Sequence, residues 1–305
     1  MLKKTGLFIR SLRKDFDLYL IILPGIAILL TFKYVPMYGA TIAFKDYSLL
    51  EGISGSPWVG LKHFAGLFAS PKFLSVFANT IIINAYRIVF YFPLPIMLAI
   101  LINEVKSIRF KRIAQTITYL PYFLSWVVIS AIFIDILSPQ TGIINRVIQF
   151  LGGKPVMFMT DQRFFRGIIV ASNAWQRTGW TAIIYLAAMQ GIDPQLYDAA
   201  RVDGARKIHE IFHITLPGIS PAILFMFMLH LGYFLRTDVE QILMLYNPIV
   251  YSVGDVLGTY IYRIGLGQMK YSMTTAVGLF QAVIGFNLLF LANFVSRKFG
   301  QQGLW

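Results

Sequence analysis

The sequence predicts an all-α membrane protein with six transmembrane helices. Apolar residues make up 57% of its 305 residues, and the mean hydropathy of +0.65 is too high for a soluble domain of this length. The apolar runs can cross a hydrocarbon core of roughly 30 Å. Because backbone groups in lipid must be satisfied within their own segment, the runs should be helices. The six predicted spans are residues 18–37, 74–102, 113–137, 165–188, 218–235 and 274–296.

The spans differ in what precedes and interrupts them. The first follows a basic segment, residues 1–17, and no small-residue cleavage site comes after it, so we interpret it as a retained helix rather than a signal peptide.

Span two contains Pro93 and Pro95, and span three contains Pro121. Prolines remove helix hydrogen bonds, so kinks are expected at these positions. Such kinks are either joints for a gating motion or static bends.

Basic residues are concentrated on one side of the predicted spans. One set of connecting segments carries 14 Lys and Arg in 65 residues, whereas the longer opposite set carries eight, or nine with Arg236. By the positive-inside rule the first set is cytoplasmic, so both termini should lie in the cytoplasm. The inner segments are 1–17, 103–112, 189–217 and 297–305, and the outer segments are 38–73, 138–164 and 236–273.

The charge and cysteine content exclude several classes of protein. The formal net charge is +13, but the basic residues lie beside the apolar spans, which indicates membrane topology and contact with anionic lipid headgroups rather than nucleic acid. The chain has no cysteine, which excludes disulfides and thiolate metal sites. After the cytoplasmic segment 1–17, residues 18–305 are expected to form a single multi-pass transmembrane domain.

Several polar side chains lie inside the predicted spans. A charge at mid-membrane costs about 2.5–3.5 kcal/mol on insertion scales and by default suggests function. The richest cluster, Trp175 to Trp180, combines two aromatic rings, an amide and a cation; this suits sugars, whose C–H faces stack on aromatic rings. Arg177 could equally pair with a carboxylate or a helix end, and most of the aromatic residues could be packing residues. The candidate substrate path consists of Asn84, Arg87, Tyr122, Trp126, Asn173, Trp175, Arg177 and Tyr233.

The polar loop 189–217, between spans four and five, predicts two short helices joined by a turn. Asp193 can cap the first helix and Pro194 suits its first position. Gly204 is the position at which the chain can bend, because glycine adopts positive φ without steric cost. Asp203 is expected to cap the second helix, over 205–214, and Pro217 is expected to close this element and to start span five.

This loop resembles the cytoplasmic coupling loop of bacterial binding-protein-dependent ABC importers. It has the acid-Ala-Ala, Asp-Gly-Ala and Ile-x-Leu-Pro elements at the family's spacing, and Asp198 stands where the family most often has Glu. The resemblance implies that this coupling loop docks on a cytoplasmic ATPase subunit. The implied contact residues are Tyr197, Asp198, Ala199, Ala200, Asp203, Gly204, Ala205, Leu216 and Pro217.

Other segments extend the resemblance over nearly the whole chain. They resemble oligosaccharide and polysaccharide permeases related to the maltose transporter's membrane subunits, and the first of them is similar to the lipoprotein-linked polysaccharide permease branch. The segments are Leu23-Pro24-Gly25, Phe32 to Gly39, Ile42 to Tyr47, Tyr119 to Phe123 and Leu186 to Ile192.

The resemblance implies a non-catalytic permease subunit in a bacterial cytoplasmic membrane. A second, related permease would complete the path for a carbohydrate, and an extracytoplasmic binding protein would deliver it. Two separate ATPase subunits would bind ATP and Mg, because this chain has no G-x-x-x-x-G-K-[ST] loop. No cofactor or metal is expected in the chain itself. The identity, length and charge of the sugar stay open, although Arg87 and Arg177 are compatible with an acidic one.

Two other functions are compatible with parts of the sequence. His209-Glu210-Ile211-Phe212-His213 matches H-E-x-x-H, the signature of zinc proteases. A third zinc ligand normally comes from a distant element, whereas Asp203, the available acid, lies only six residues upstream. An ion-coupled secondary carrier is the other alternative, and the scarcity of acidic residues inside the spans weighs against it.

Overall fold

The secondary structure is helical, as predicted. The computed structural model describes residues 16–298, and within them the only extended pairing is an isolated bridge between Lys45 and Trp58. The principal helices are α1 Phe16–Phe44, α2 Lys62–Phe68, α3 Pro71–Glu104, α4 Ile108–Phe123, α5 Trp126–Ile136, α6 Ile143–Phe150, α7 Gln162–Met189, α8 Pro194–Val202, α9 Lys207–Gly218, α10 Ser220–Gly232, α11 Val239–Leu245, α12 Leu257–Ile261 and α13 Tyr271–Lys298.

Three helices, α1, α3 and α13, are long and apolar enough to cross a membrane, and two bent pairs raise the number to as many as five. Helix α7, which covers the fourth predicted span, has 28 residues. At 1.5 Å per residue it is about 42 Å long, which is enough to cross a bilayer. It is more polar than the others because it carries Arg163, Arg166 and Arg177.

The continuous helix predicted over 113–137 is wrong in detail. Helices α4 and α5 meet at 105°. Pro121 lies in the 3-10 turn that ends α4, and the Ser125 hydroxyl accepts a hydrogen bond from the Val128 amide and starts a new helix. A proline followed by an N-capping serine therefore breaks the helix completely, where only a kink was expected.

The fifth predicted span also contains a bend. Helices α9 and α10 meet at 59°, with Ile219 between them. Pro217 lies in the last turn of α9 rather than at the start of the span, and α10 begins at Ser220 with Pro221 in its first turn. The second proline fits the first turn because the amide that it lacks would have no intrahelical partner there.

Span two stays continuous despite its two prolines. A π-helical turn, Arg87–Tyr91, immediately precedes Pro93. The wider turn offsets the hydrogen bond that proline cannot make, and such turns recur at functional sites. It also places Arg87 and Tyr91 on the interior side of the helix, where both are buried.

Helices α4 and α7 approach closely at Gly179. A Cβ at this position would lie only 1.9 Å from the Thr118 carbonyl oxygen, so no other residue fits without displacing one helix. Small residues allow this kind of backbone contact between membrane helices. The glycine of the Trp175–Trp180 cluster is thus a packing residue that sets the position of α7.

Candidate functional site

A cavity of about 420 Å³ lies between α3, α7, α10 and the segment that leads into α11. It brings together five of the eight predicted path residues, namely Asn84, Arg87, Asn173, Arg177 and Tyr233. The remaining lining residues are Tyr91, Thr181, Met226, Leu229, His230, Arg236, Thr237 and Asp238. We refer to it as the central cavity.

Arg87 is held in the central cavity wall by neutral partners. Its Nη2 donates to the Gln241 side-chain oxygen at 2.7 Å. The Gln241 amide group in turn donates to the Ile169 carbonyl at 2.7 Å and to the Ser172 hydroxyl at 2.8 Å. Arg87 is only 5% exposed. Helix α3 therefore places a buried positive charge beside the cavity, and this charge is hydrogen-bonded to an amide group and not to a carboxylate.

Arg177 has the charged partner that the alternative interpretation required. Its Nη2 donates to Asp238 Oδ1 at 2.9 Å, and the Asn173 amide donates to Asp238 Oδ2 at 3.0 Å. Both donors come from α7, and Asp238 precedes α11. The pair joins these two elements inside the wall of the central cavity.

The central cavity has more positive than negative charge. Arg87, Arg177 and Arg236 line it, and Asp238 is the one carboxylate among its lining residues. Arg236 also lies 5.5 Å from the centre of the Tyr233 ring. Three buried polar atoms of lining residues have no hydrogen-bond partner in the part of the chain that the structure describes: Arg87 Nε, Arg177 Nε and Thr237 Oγ1. The wall is therefore suited to a ligand that supplies negative charge and hydrogen-bond acceptors.

Three predicted path residues do not line the central cavity. Tyr122 stacks on Trp180, with ring centres 4.6 Å apart and planes 4° from parallel. Trp126 is buried, and Trp175 has its edge against Phe133 at 5.9 Å between centres. Packing against other side chains is the alternative expected for aromatic residues, but Trp175 is also 43% exposed, and the path role of these three residues stays a prediction.

Sequence reasoning missed Asp238, Arg236, Thr237 and Gln241. All four follow span five and were assigned to an outer loop. One feature of the sequence could have indicated them, namely the polar run Arg236-Thr237-Asp238 directly after an apolar span. The folded chain brings this run back against α7, where Asp238 meets Arg177, and it places Gln241 against Arg87 of α3.

The loop 189–217 has the predicted first helix and turn. The Asp193 side chain accepts from the Gln195 amide at 2.9 Å, with Pro194 as the first residue of α8. Gly204 has φ +78°. The Ala205 amide donates to the Ala200 carbonyl at 2.9 Å, and the Gly204 amide to the Arg201 carbonyl at 3.1 Å. This is a Schellman motif, and it requires the left-handed glycine.

The predicted capping role of Asp203 is wrong. Its backbone amide donates to the Ala199 carbonyl, which makes Asp203 the C-terminal cap of α8. The next helix begins at Lys207, after Arg206. The Schellman turn uses Asp203, Gly204 and Ala205 to end one helix, so none of them is available to start the other.

Most of the predicted contact residues are accessible on this loop. Asp198, Ala199, Asp203, Gly204 and Pro217 are exposed, and Tyr197, Ala200, Ala205 and Leu216 are half-buried. Val202, at the end of α8, is 88% exposed. Helix α8 is therefore accessible along most of its length.

A cluster of ion pairs ties the loop to span two. The Glu210 side chain is buried and accepts from Arg201 Nε at 3.0 Å and from Lys207 Nζ at 2.9 Å. Lys207 Nζ also lies 2.9 Å from Glu104 Oε2, at the C-terminal end of α3. Hydrogen bonds from Arg201 and Lys207 lower the pKa of Glu210 below its ordinary value. The cluster connects α8, α9 and α3.

The same ion pairs argue against a zinc-protease role for the H-E-x-x-H motif. The Glu210 carboxylate is engaged by two cations, so it is not free to activate water. His213 Nδ1 lies 3.1 Å from the His209 carbonyl oxygen. Among residues 16–298, no three His, Cys, Asp or Glu side chains are grouped to hold a metal ion.

Comparison with known proteins gives concordant matches. The family model "Binding-protein-dependent transport system inner membrane component" matches residues 91–301. The chain is 42% identical over 303 residues to the polygalacturonan/rhamnogalacturonan transport system permease protein YteP of Bacillus subtilis strain 168, covering 99% of this chain and 94% of the relative. It is 41% identical over 295 residues to Protein LplB of the same organism, covering 97% and 93%.

A solved structure is similar over almost the entire length. It is a crystal structure of a bacterial alginate ABC transporter in complex with an alginate pentasaccharide-bound periplasmic protein. One of its chains superposes with a TM-score of 0.89 at 39% identity, covering 97% of this chain and 99% of the other. The backbone arrangement around the central cavity is therefore similar to that of a chain from a complete transporter.

Proposed function

The chain belongs to the family of binding-protein-dependent transport system inner membrane components, and from this premise we propose that it carries an acidic oligosaccharide or polysaccharide through its central cavity. It is a permease subunit of an ABC importer for oligosaccharides or polysaccharides. The acidic character of the cargo is the finer inference. It rests on one observation, the surplus of guanidinium groups over carboxylates in the cavity wall.

The arginines of the wall support the same cargo. An acidic sugar offers carboxylate and hydroxyl oxygens to the guanidinium groups of Arg87, Arg177 and Arg236, which line the cavity. Charge-assisted hydrogen bonds of this kind are roughly twice as strong as neutral ones. The cargoes that two relatives are named for, polygalacturonan/rhamnogalacturonan and alginate, are acidic polymers as well.

The proposed assembly follows from the loop and the helices. Six spans are obtained when α7 is counted with the three apolar helices and the two bent pairs. Both termini and the loop 189–217 then lie in the cytoplasm, where α8 docks on an ATPase subunit. A second permease completes the path, two ATPase subunits bind ATP and Mg, and an extracytoplasmic binding protein supplies the sugar.

The loop transmits the free energy of ATPase closure to the membrane helices by thermodynamic linkage. Nucleotide binding favours the closed ATPase pair, and the free energy of that closure biases the membrane helices only if the docking helix is rigidly connected to them. The Arg201–Glu210–Lys207–Glu104 cluster provides that connection to α3, which carries Arg87 into the cavity. A single helix thus joins the cytoplasmic contact to the cargo path.

Uptake by the reconstituted transporter tests the cargo. The chain, with its partner permease, ATPases and binding protein, is placed in vesicles and given oligogalacturonate or a neutral oligosaccharide of equal length. We expect uptake of the acidic chain only, and a drop of about tenfold with Arg177→Gln, since one charge-assisted contact is lost. Arg146→Gln, an exposed arginine on α6 away from the cavity, should leave uptake unchanged. Preferred uptake of the neutral chain would contradict the proposal.

A further inference from the structure

A second cavity, of about 350 Å³, lies beyond the C-terminal end of α11. We refer to it as the outer cavity. Two of its lining residues are tyrosines and one is an arginine, and the others supply an apolar or backbone surface. The lining residues are Leu243, Tyr246, Tyr262, Arg263, Leu266 and Gly267. All belong to the predicted outer segment 236–273.

Arg263 is held in place by the residues around it. Its Nη2 donates to the carboxylate of Asp255, and its guanidinium lies 5.2 Å from the centre of the Tyr251 ring. Asp255 is fully buried and also accepts from the Thr259 hydroxyl at 2.8 Å. The guanidinium is thus preorganised, and a ligand that binds it would not need to immobilise a free side chain.

The charge around Arg263 is not balanced. Lys72 Nζ lies 3.1 Å from the same Asp255 carboxylate, so two cations share one anion. Arg263 Nη1 is buried and has no acceptor within residues 16–298. A net positive charge and an unused donor remain on a residue of the cavity wall, as expected of a site for an anionic ligand.

The local backbone is also unusual. Tyr262–Leu266 is a π-helical turn that directly follows α12 and supplies Tyr262, Arg263 and Leu266 to the outer cavity. A π-helical turn likewise supplies Arg87 and Tyr91 to the central cavity. Such turns are uncommon and are often retained at functional sites.

Helix α11 connects the two cavities. Asp238, which caps its N-terminus, lines the central cavity, and Tyr246, which follows its last residue, lines the outer one. A helix of seven residues is about 10 Å long. A chain of a few sugar units is long enough to occupy both cavities at once, whereas a disaccharide is not.

We propose that the outer cavity is a second saccharide subsite, which binds a unit of the acidic chain while a preceding unit occupies the central cavity. A uronate carboxylate pairs with Arg263, and the sugar ring stacks on Tyr262, which is half exposed, or on Tyr246. This inference rests on the proposed function. It adds a preference for chains over short fragments, because only a chain gains both contacts.

Chain length provides the test. Uptake of galacturonate dimers and hexamers is measured with the complete reconstituted transporter and its binding protein. With Arg263→Gln we expect the half-saturating concentration of the hexamer to rise about tenfold, while dimer uptake and basal ATP hydrolysis stay unchanged. Tyr262→Ala should shift the hexamer in the same direction and keeps Asp255 paired. Arg146→Gln removes a charge from the same predicted membrane face and should change neither the half-saturating concentration of the hexamer nor the uptake of the dimer.

The possible outcomes distinguish the proposal of an outer subsite from the proposal of an acidic cargo. If Arg177→Gln weakens uptake of both lengths while Arg263→Gln and Tyr262→Ala alter neither, the outer subsite is wrong and the acidic cargo stands. If the Arg263 and Tyr262 variants change dimer and hexamer uptake equally, the outer cavity has no length-dependent role and the inference is overturned. If the intact transporter imports neutral hexamers instead, the acidic cargo is wrong and the outer subsite falls with it.

Discussion

One charged residue of the central cavity, Arg177, has a structural role and is also part of the proposed cargo path. Arg177 pairs with Asp238 and so joins α7 to the start of α11, yet its Nε remains without a partner among residues 16–298. An arginine in a membrane segment has to be compensated by its surroundings. Here the compensation by hydrogen bonds is incomplete within the described residues, which is consistent with the cargo role proposed above.

Gly179 permits a prediction about packing. Gly179→Ala should lower the stability by about 1–3 kcal/mol, because the added methyl group would overlap the Thr118 carbonyl and force α4 and α7 apart. The measurement is the thermal unfolding midpoint of the detergent-purified chain. Gly167→Ala, on the same helix with no atom within 4 Å of the new Cβ, is the matched control and should not lower it. Equal midpoints for both variants would argue against a close helix contact.

Glu210 permits a prediction about pH. Its pKa is lowered in the folded protein by the hydrogen bonds from Arg201 and Lys207. The stabilisation is therefore complete above the unfolded-state pKa of about 4.3 and is lost as the pH falls through the lower, folded-state pKa. The difference in unfolding midpoint between the wild type and Glu210→Gln should be constant near neutral pH and shrink in acid.

A control glutamate isolates this effect. Glu51 is exposed and has no ion pair in the described residues, so Glu51→Gln should leave the midpoint unchanged at every pH. A Glu210→Gln protein as stable as the wild type at neutral pH would show that the cluster does not stabilise the loop.

At the scale of elements, α8 and its Schellman turn act as one rigid unit. The turn depends on Gly204 with φ +78°, a conformation that proline, restricted to about −65°, cannot adopt. Asp198 projects from the exposed side of α8, where it also lies 3.2 Å from Arg201. One residue therefore determines the geometry of the docking helix and the other its surface charge.

Both residues lead to a prediction about coupling. Gly204→Pro and Asp198→Lys should lower uptake per ATP hydrolysed by about tenfold, within the usual range of coupling free energies, while membrane insertion stays normal. The measurement is the ratio of uptake to ATP hydrolysis in reconstituted vesicles. Arg109→Asp, which changes an exposed charge on the same predicted face outside the loop, is the control. Normal coupled uptake in both variants would contradict docking through α8.

At the scale of the whole molecule, α1 stands apart from the rest. None of its most apolar window is buried within the described chain, and only its C-terminal turn, Tyr38–Phe44, packs against α13. The remainder is available to lipid or to the second permease proposed above. If the second permease covers it, the position of α1 is set by the assembly as well as by the chain.

The absence of cysteine allows a direct test of the topology. Single cysteines are introduced at Ser54, in the outer segment 38–73, and at Arg109, in the inner segment 103–112. A membrane-impermeant maleimide added to intact cells should label Ser54→Cys and should label Arg109→Cys only after permeabilisation, because six spans with inner termini place these positions on opposite faces. Labelling of both from outside would rule out that topology.

The local features of this chain followed from the sequence because their causes are local. The helical class, the start of α8 at Asp193-Pro194 and the bend at Gly204 depend on side chains within a few residues of each other. The polar positions of spans two and four were also identifiable, since an arginine in an apolar run stands out without any knowledge of the fold.

The tertiary structure decided which of those polar residues lie together. Arg87 and Gln241 are 154 residues apart and Arg177 and Asp238 are 61 apart, so no local pattern could pair them. The same holds for Lys72 of α3, which pairs with Asp255 beside the outer cavity, whereas Asp255 and Arg263 are only eight residues apart. Sequence determined which polar residues lie inside the apolar spans, and packing determined which of them share a cavity, because each pairing depends on how distant helices are placed against one another.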